Sequence, residues 1–127
     1  MNNWINFNIL VVEDDAGMLE ILGDILEGYG GKVFRATHGE EALNCIDKER
    51  IDLVLSDVQM PIMGGIDLVK NIRIKNLKIP VVLFITGQSE LTEESALEIG
   101  AIGLVHKPYK VKVLIERIET VRKVYNF

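Results

Sequence analysis

The chain contains a single cysteine among its 127 residues. No internal disulfide can form, and Cys45, lying between Leu43 and Ile46, is expected to pack in a reducing compartment. No apolar run approaches the roughly 20 residues that a membrane-spanning helix needs. Met1–Asn6 likewise has no positive region followed by a long apolar stretch. The expectation is a cytoplasmic protein with no membrane contact. No run of Lys and Arg occurs either: 14 basic residues face 19 acidic ones, for a net charge of −5. Direct binding to nucleic acid lacks an electrostatic footprint, which leaves a cation and other proteins as the expected partners. Linkers and low-complexity segments are absent too, so residues 1–127 read as one domain. With 48% hydrophobic and 26% charged residues, the chain has the material for its own core.

What is present is a repeated strand–helix unit. Phe7–Val12 ends in an unbroken apolar run, the mark of a central strand covered on both faces. Met18, Leu19, Ile21, Leu22, Ile25 and Leu26 then recur at helical spacing, before Gly28, Gly30 and Gly31 stop the helix. Lys32–Ala36 is a more polar, outer strand. Thr37 with Glu40 three residues on predicts a capping box for a helix carrying Ala42, Leu43 and Ile46. Leu53–Leu55 begins a third strand that ends at Ser56 and Asp57, followed by a Pro- and Gly-containing loop and a helix from about Gly65 with Ile66, Val69 and Ile72 on one face. Val81–Ile85 is the fourth strand. Ser89 is the expected cap of a thinly apolar helix through Leu91, Ala96 and Leu97. After a fifth strand, Ile102–Val105, the last helix carries Val111, Leu114, Ile115, Ile118, Val121 and Tyr125 on one stripe, with Val113 and Val124 off it.

Five strands alternating with five helices predict an α/β fold, a doubly wound parallel sheet with strand order 2-1-3-4-5 and helices on both faces. Parallel strands deliver the residues that follow them to one edge. That edge receives Glu13, Asp14 and Asp15, then Asp57, Thr86 and Lys107, around the crevice between strands one and three. Taken singly, each is more simply a helix cap, a turn former or a solvated charge. Four strand ends carrying acids, acid, hydroxyl and lysine argue jointly for a site. Crowded carboxylates call for a proton or a cation, and an all-oxygen donor set suits magnesium better than zinc. With Mg2+ in place, Asp57 is the group to attack phosphorus, while Lys107 and Thr86 neutralise and hydrogen-bond the phosphoryl oxygens.

These residues carry a resemblance that covers nearly the whole chain. Val12-Glu13-Asp14-Asp15, the run Ser56–Gly65, Thr86-Gly87, Gly100-Ala101 and Lys107-Pro108-Tyr109 together resemble the receiver domain of bacterial two-component response regulators, the chemotaxis-regulator-like family. The resemblance implies that Asp57 is the phosphoacceptor for a histidine kinase or a histidine phosphotransfer domain. It implies magnesium held by Glu13, Asp14, Asp57 and the backbone carbonyl of Gln59, with Thr86 and Lys107 reading the phosphoryl group, and a cis Lys107–Pro108 bond. Gln59 and Gln88 occupy the positions that in the family tune phosphate lifetime. The family's switch pairs Thr86 with an aromatic residue, where this chain has Leu104. The implied output is a changed affinity for a partner protein or domain, or homodimerisation, through the face made by helix four, strand five and helix five.

Three alternatives differ in chemistry. A haloacid-dehalogenase-like phosphatase shares the aspartyl nucleophile but needs a second acid two residues later, where this chain has Gln59. A flavodoxin-like carrier needs a phosphate cradle after strand one, where Glu13, Asp14 and Asp15 repel a phosphate. A receiver-like scaffold that is never phosphorylated is the third. The expectation is a binding module whose only chemistry is on its own Asp57, not an enzyme.

Overall fold

A computed structural model describes residues 3–88 and 90–127. Ten elements alternate: β1 (Asn8–Val12), α1 (Ala16–Gly28), β2 (Lys32–Ala36), α2 (Gly39–Lys48), β3 (Leu53–Asp57), α3 (Gly65–Lys75), β4 (Val81–Thr86), α4 (Glu93–Ile99), β5 (Gly103–His106) and α5 (Val111–Val124). The strands form one sheet in the order β2-β1-β3-β4-β5, every neighbouring pair parallel. Polar β2 is an edge strand, as its composition predicts. The register sets Val12 beside Ser56, Asp57 beside Ile85, and Thr86 beside His106, so the strand ends that carry chemistry lie level.

Alternation along the strands builds two cores. Ile9, Val11, Leu53, Leu55, Leu83 and Ile85 pack under α1 and α5, against Leu22, Leu26, Leu114 and Ile118. Leu10, Val12, Val54, Val82, Phe84 and Leu104 face α2, α3 and α4, against Ala42, Leu68, Val69 and Ala96. Each such large side chain contributes about 1.5–3 kcal/mol by leaving water. Cys45 is a partly buried member of the second core, the packing role its neighbours predict.

The helix starts depart from the sequence reading. Thr37 does not cap α2. His38 does, its Nδ1 accepting from Glu41 N–H at 3.3 Å, while Glu41 rather than Glu40 reaches back to the Thr37 N–H at 2.9 Å. The shift follows from Gly39, whose N–H donates to the Met63 carbonyl and which lies against the Met63 side chain where a Cβ would stand. Ser89 lies outside the described residues, and α4 is capped by Thr92 in a reciprocal box with Ser95. On α1, Met18 and Ile21 share the helical spacing yet are exposed, Ile21 at 58%, where they line an open groove rather than the core. Val111 and Tyr125 at the two ends of the α5 stripe are likewise exposed.

Candidate functional site

The site sits at the carboxyl ends of β1, β3 and β5. Asp57 is the last residue of β3, and the chain turns back immediately: Gly65 N–H donates to Val58 O at 2.9 Å. Gly65 presses on the Asp57 carbonyl where a side chain would collide, and a Cβ on Gly64 would stand 2.7 Å from Val58 O. The two glycines therefore let the loop fold over the strand end. Ile62 takes a φ of 71° in that loop. The Lys107–Pro108 bond after β5 is cis, as is Ile79–Pro80.

Glu13, Asp14 and Asp57 each offer a carboxylate oxygen, and the three oxygens lie within 4.8 Å of one another. Lys107 Nζ donates to Asp57 Oδ2 at 2.8 Å and to Glu13 Oε1 at 3.1 Å. The other Asp57 oxygen accepts from the Gln59 N–H at 3.2 Å, and Glu13 Oε2 accepts from Asp15 N–H at 3.2 Å. Under them, Val11, Leu22, Leu55 and Ile85 form an apolar floor, with Tyr109 at one wall. Burial raises the Glu13 carboxyl above the ordinary range, and the Asp15 N–H and Lys107 bring it only partly back. Lys107 loses hydration, which lowers its pKa, but its bonds to Asp57 and Glu13 outweigh that and hold the ammonium more firmly protonated than usual. Burial also raises the Tyr109 phenol. Three hard oxygen donors and no nitrogen or sulfur make a cluster that can bind a metal ion of the magnesium or calcium kind.

The expected residues divide into two groups. Glu13, Asp14, Asp57 and Lys107 converge, and Gln59 reaches Asp57 through its backbone N–H, not through the carbonyl expected to face a metal. Asp15 turns away and takes the simpler role, capping α1 by accepting from Met18 N–H at 3.0 Å. Thr86 makes no hydrogen bond within the carboxylate cluster; its buried Oγ1 accepts from Gln88 N–H at 2.9 Å, and its carbonyl accepts from Lys107 N–H at 2.7 Å. Leu104 is buried at 4% exposure on the α4 side of the sheet. Sequence reasoning missed the wall residues. Tyr109, Pro108 and Val111 meet Met18, Ile21 and Ile25 across an apolar groove of about 470 Å³ beside Lys107. The signal available was the width of the α1 stripe, in which Met18, Ile21 and Ile25 add to Leu19, Leu22 and Leu26.

Residues 9–119 match the family model described as the response regulator receiver domain. The transcriptional regulatory protein CpxR of Escherichia coli is 38% identical over 113 residues, covering 89% of this chain and 48% of that protein. The alkaline phosphatase synthesis transcriptional regulatory protein PhoP of Bacillus subtilis is 32% identical over 117 residues, covering 92% and 49%. The chain thus spans about half the length of these curated relatives. Among solved structures, the non-phosphorylated HemR receiver domain of Leptospira biflexa superposes with a TM-score of 0.82 at 35% identity, covering 91% of this chain and 94% of that one. The chemotaxis response regulator CheY4 of Vibrio cholerae superposes at 0.81 with 29% identity, covering 91% and 98%. With the topology, the level strand ends and a matching model over most of its length, the chain belongs to the response regulator receiver domains of two-component systems.

Proposed function

We propose that Asp57 accepts a phosphoryl group from a phosphohistidine, on a histidine kinase or a histidine phosphotransfer domain, and that the new charge changes affinity for an output partner. The observation that carries this reading is the Lys107 ammonium bridging Asp57 and Glu13 at the mouth of an apolar-floored cleft. In the transfer an Asp57 oxygen attacks phosphorus; the O–P bond forms as the P–N bond breaks, and the imidazole leaves with its electron pair. Lys107 neutralises charge on the phosphoryl oxygens, and the Thr86 hydroxyl, whose proton is not used by its bond from Gln88, donates to one of them. Magnesium would be held by Glu13, Asp14, Asp57 and the Gln59 carbonyl, and when bound it supplies further neutralisation of the transferring group.

The apolar groove between α1 and Pro108–Val111 opens beside Lys107. It provides a bed for the donor's helix next to Asp57. Gln59 and Gln88 flank the site from the β3 and β4 loops and set how fast water removes the phosphoryl group. The output surface is the α4–β5–α5 face, where Leu97 and Val113 are exposed; it serves a partner protein or domain, or a second copy of the chain. Gln59 offers Asp57 only a backbone N–H, so the second acid of a phosphatase is missing and the chemistry stays on Asp57. The place of action is the cytoplasm; among the described residues no helix is long and apolar enough to cross a membrane.

Transfer from a phosphohistidine donor domain carrying labelled phosphate tests the reading. Label is expected to move to the chain in magnesium and to remain on the donor when a chelator is added or Asp14 is changed to Asn. Transfer that is indifferent to both removes the metal from the account.

A further inference from the structure

The free edge of β5 is closed by two side chains from different helices. Leu104 faces inward, while its backbone N–H and C=O lie on the side of the strand away from β4. The N–H donates to Glu93 Oε2 at 3.2 Å, and the carbonyl accepts from Arg117 Nη1 at 3.3 Å. Glu93 and Arg117 also pair with each other in a fork, Nη1 to Oε1 at 3.0 Å and Nη2 to Oε2 at 3.1 Å. They lie against Gly103 where a Cβ would stand, so the strand carries glycine there. Burial raises the Glu93 carboxyl, but the hydrogen bonds and charge of Arg117 and the Leu104 N–H outweigh it and hold it below the ordinary range. The first residue of α4, the middle of α5 and the edge of β5 are thus tied at one point.

We propose that the Glu93–Arg117 clasp holds the resting arrangement of α4, β5 and α5 and opposes the phosphorylated one, so that it is a brake on switching. The inference rests on the reading of Asp57 as the phosphoacceptor. The coupling runs through Thr86. Its hydroxyl caps the Gln88 N–H, Gln88 O accepts from Leu91 N–H at 3.4 Å, and Thr92 then caps α4. A Thr86 hydroxyl drawn toward a phosphoryl oxygen draws on Gln88, which is tied to Leu91 and so to the cap beside Glu93. Of the α4 residues, only Ala96 is fully buried, so this helix is anchored weakly by packing and the clasp is its main polar tie. Leu104 brings no hydroxyl or aromatic edge to the Thr86 side, which leaves the charged pair to set the balance between the two states.

Binding of beryllium fluoride, a phosphoryl analogue, to the whole chain in saturating magnesium tests the proposal, followed through the amide signals of Thr86 and Leu104. Two variants open the clasp differently. Arg117→Met removes the guanidinium, and Gly103→Ala keeps both charges but puts a methyl group where they meet. Both are expected to expose the Leu104 amide to exchange in the resting state and to bind the analogue roughly two- to fivefold more tightly, the range of a partly exposed ion pair. An unchanged or weaker affinity with the Leu104 amide exposed makes the pair merely a cover for a strand edge and overturns the brake. If Arg117→Met fails to fold, Gly103→Ala decides alone. Absence of magnesium-dependent analogue binding by the unaltered chain overturns the reading of Asp57, and the clasp's role with it.

Discussion

Within the site, one cation bridges two acids: Lys107 reaches Asp57 and Glu13 together, and its charge offsets the repulsion between two carboxylates held this close. The opposite edge of the sheet holds a second buried acid with a different role. Asp52 accepts from the Asn8 N–H at 2.9 Å and from Arg50 Nη1 at 2.6 Å, and its backbone joins Asn8 and Val81 at the starts of β1 and β4. Asp52→Ala strips that N–H and guanidinium of their acceptor and is expected to cost about 1–3 kcal/mol in urea unfolding, with phosphoryl uptake by the folded fraction unchanged. Loss of uptake in the folded fraction would assign Asp52 a part in the chemistry. The sequence makes Asp57 legible and Asp52 not, because an acid after an apolar run points to a site while an acid before one reads as a turn. The same limit hid the clasp: Glu93 and Arg117 are 24 residues apart, and no spacing rule links a short helix's first residue to the middle of the next.

Element by element, β1, β3 and β4 were legible as unbroken apolar runs that lead into a polar residue, polar β2 as an outer strand between two helical stripes, and the helices because their stripes repeat every three or four residues. The caps were not. Thr37 and His38, or Ser89 and Thr92, are all acceptable first residues, and tertiary contacts such as Gly39 N–H to Met63 O choose among them. The weakness of α4 was legible from its thin stripe, and the fold agrees: Leu97 is exposed and Ala96 is the helix's one fully buried residue. That places its first turn under the control of the Thr92–Ser95 box and the Glu93 tie. Thr92→Ala is expected to cost about 1 kcal/mol and to speed amide exchange in α4 while leaving α1 and α5 protected. Equal acceleration in all three helices would mean that α4 does not open by itself.

At the scale of the whole molecule, the two ends of the described chain are joined beneath the sheet. Trp4, fully buried, stacks on Tyr29 with ring centres 5.0 Å apart and meets Phe7 edge-on, while Phe7 stacks on Phe127 at 5.7 Å. Trp4 Nε1 donates to Glu119 Oε2 at 2.9 Å, and Arg122 holds the same carboxylate. Burial pushes the Glu119 carboxyl up, but Trp4 and Arg122 outweigh it and set it below the ordinary range. A depressed folded value contributes stability that is complete above the unfolded glutamate value, about 4.3, and is lost as pH falls through the folded one. The deficit of Glu119→Gln, read from the fluorescence of the single tryptophan in urea, is therefore expected to be full at neutral pH and to shrink below about pH 4. A deficit that stays constant into acid would place the Trp4 bond, rather than the charge, at its origin. This seam ties the segment before β1 to the C-terminal half of α5, while the proposed function starts at the other end of the sheet, at Asp57. The most direct test of that account is the intact mass of the chain after incubation with acetyl phosphate and magnesium, beside Asp57→Asn. The account predicts a gain of one phosphoryl group that needs magnesium and is absent from the variant; no gain from this donor or from a phosphohistidine, or an equal gain in Asp57→Asn, would contradict it.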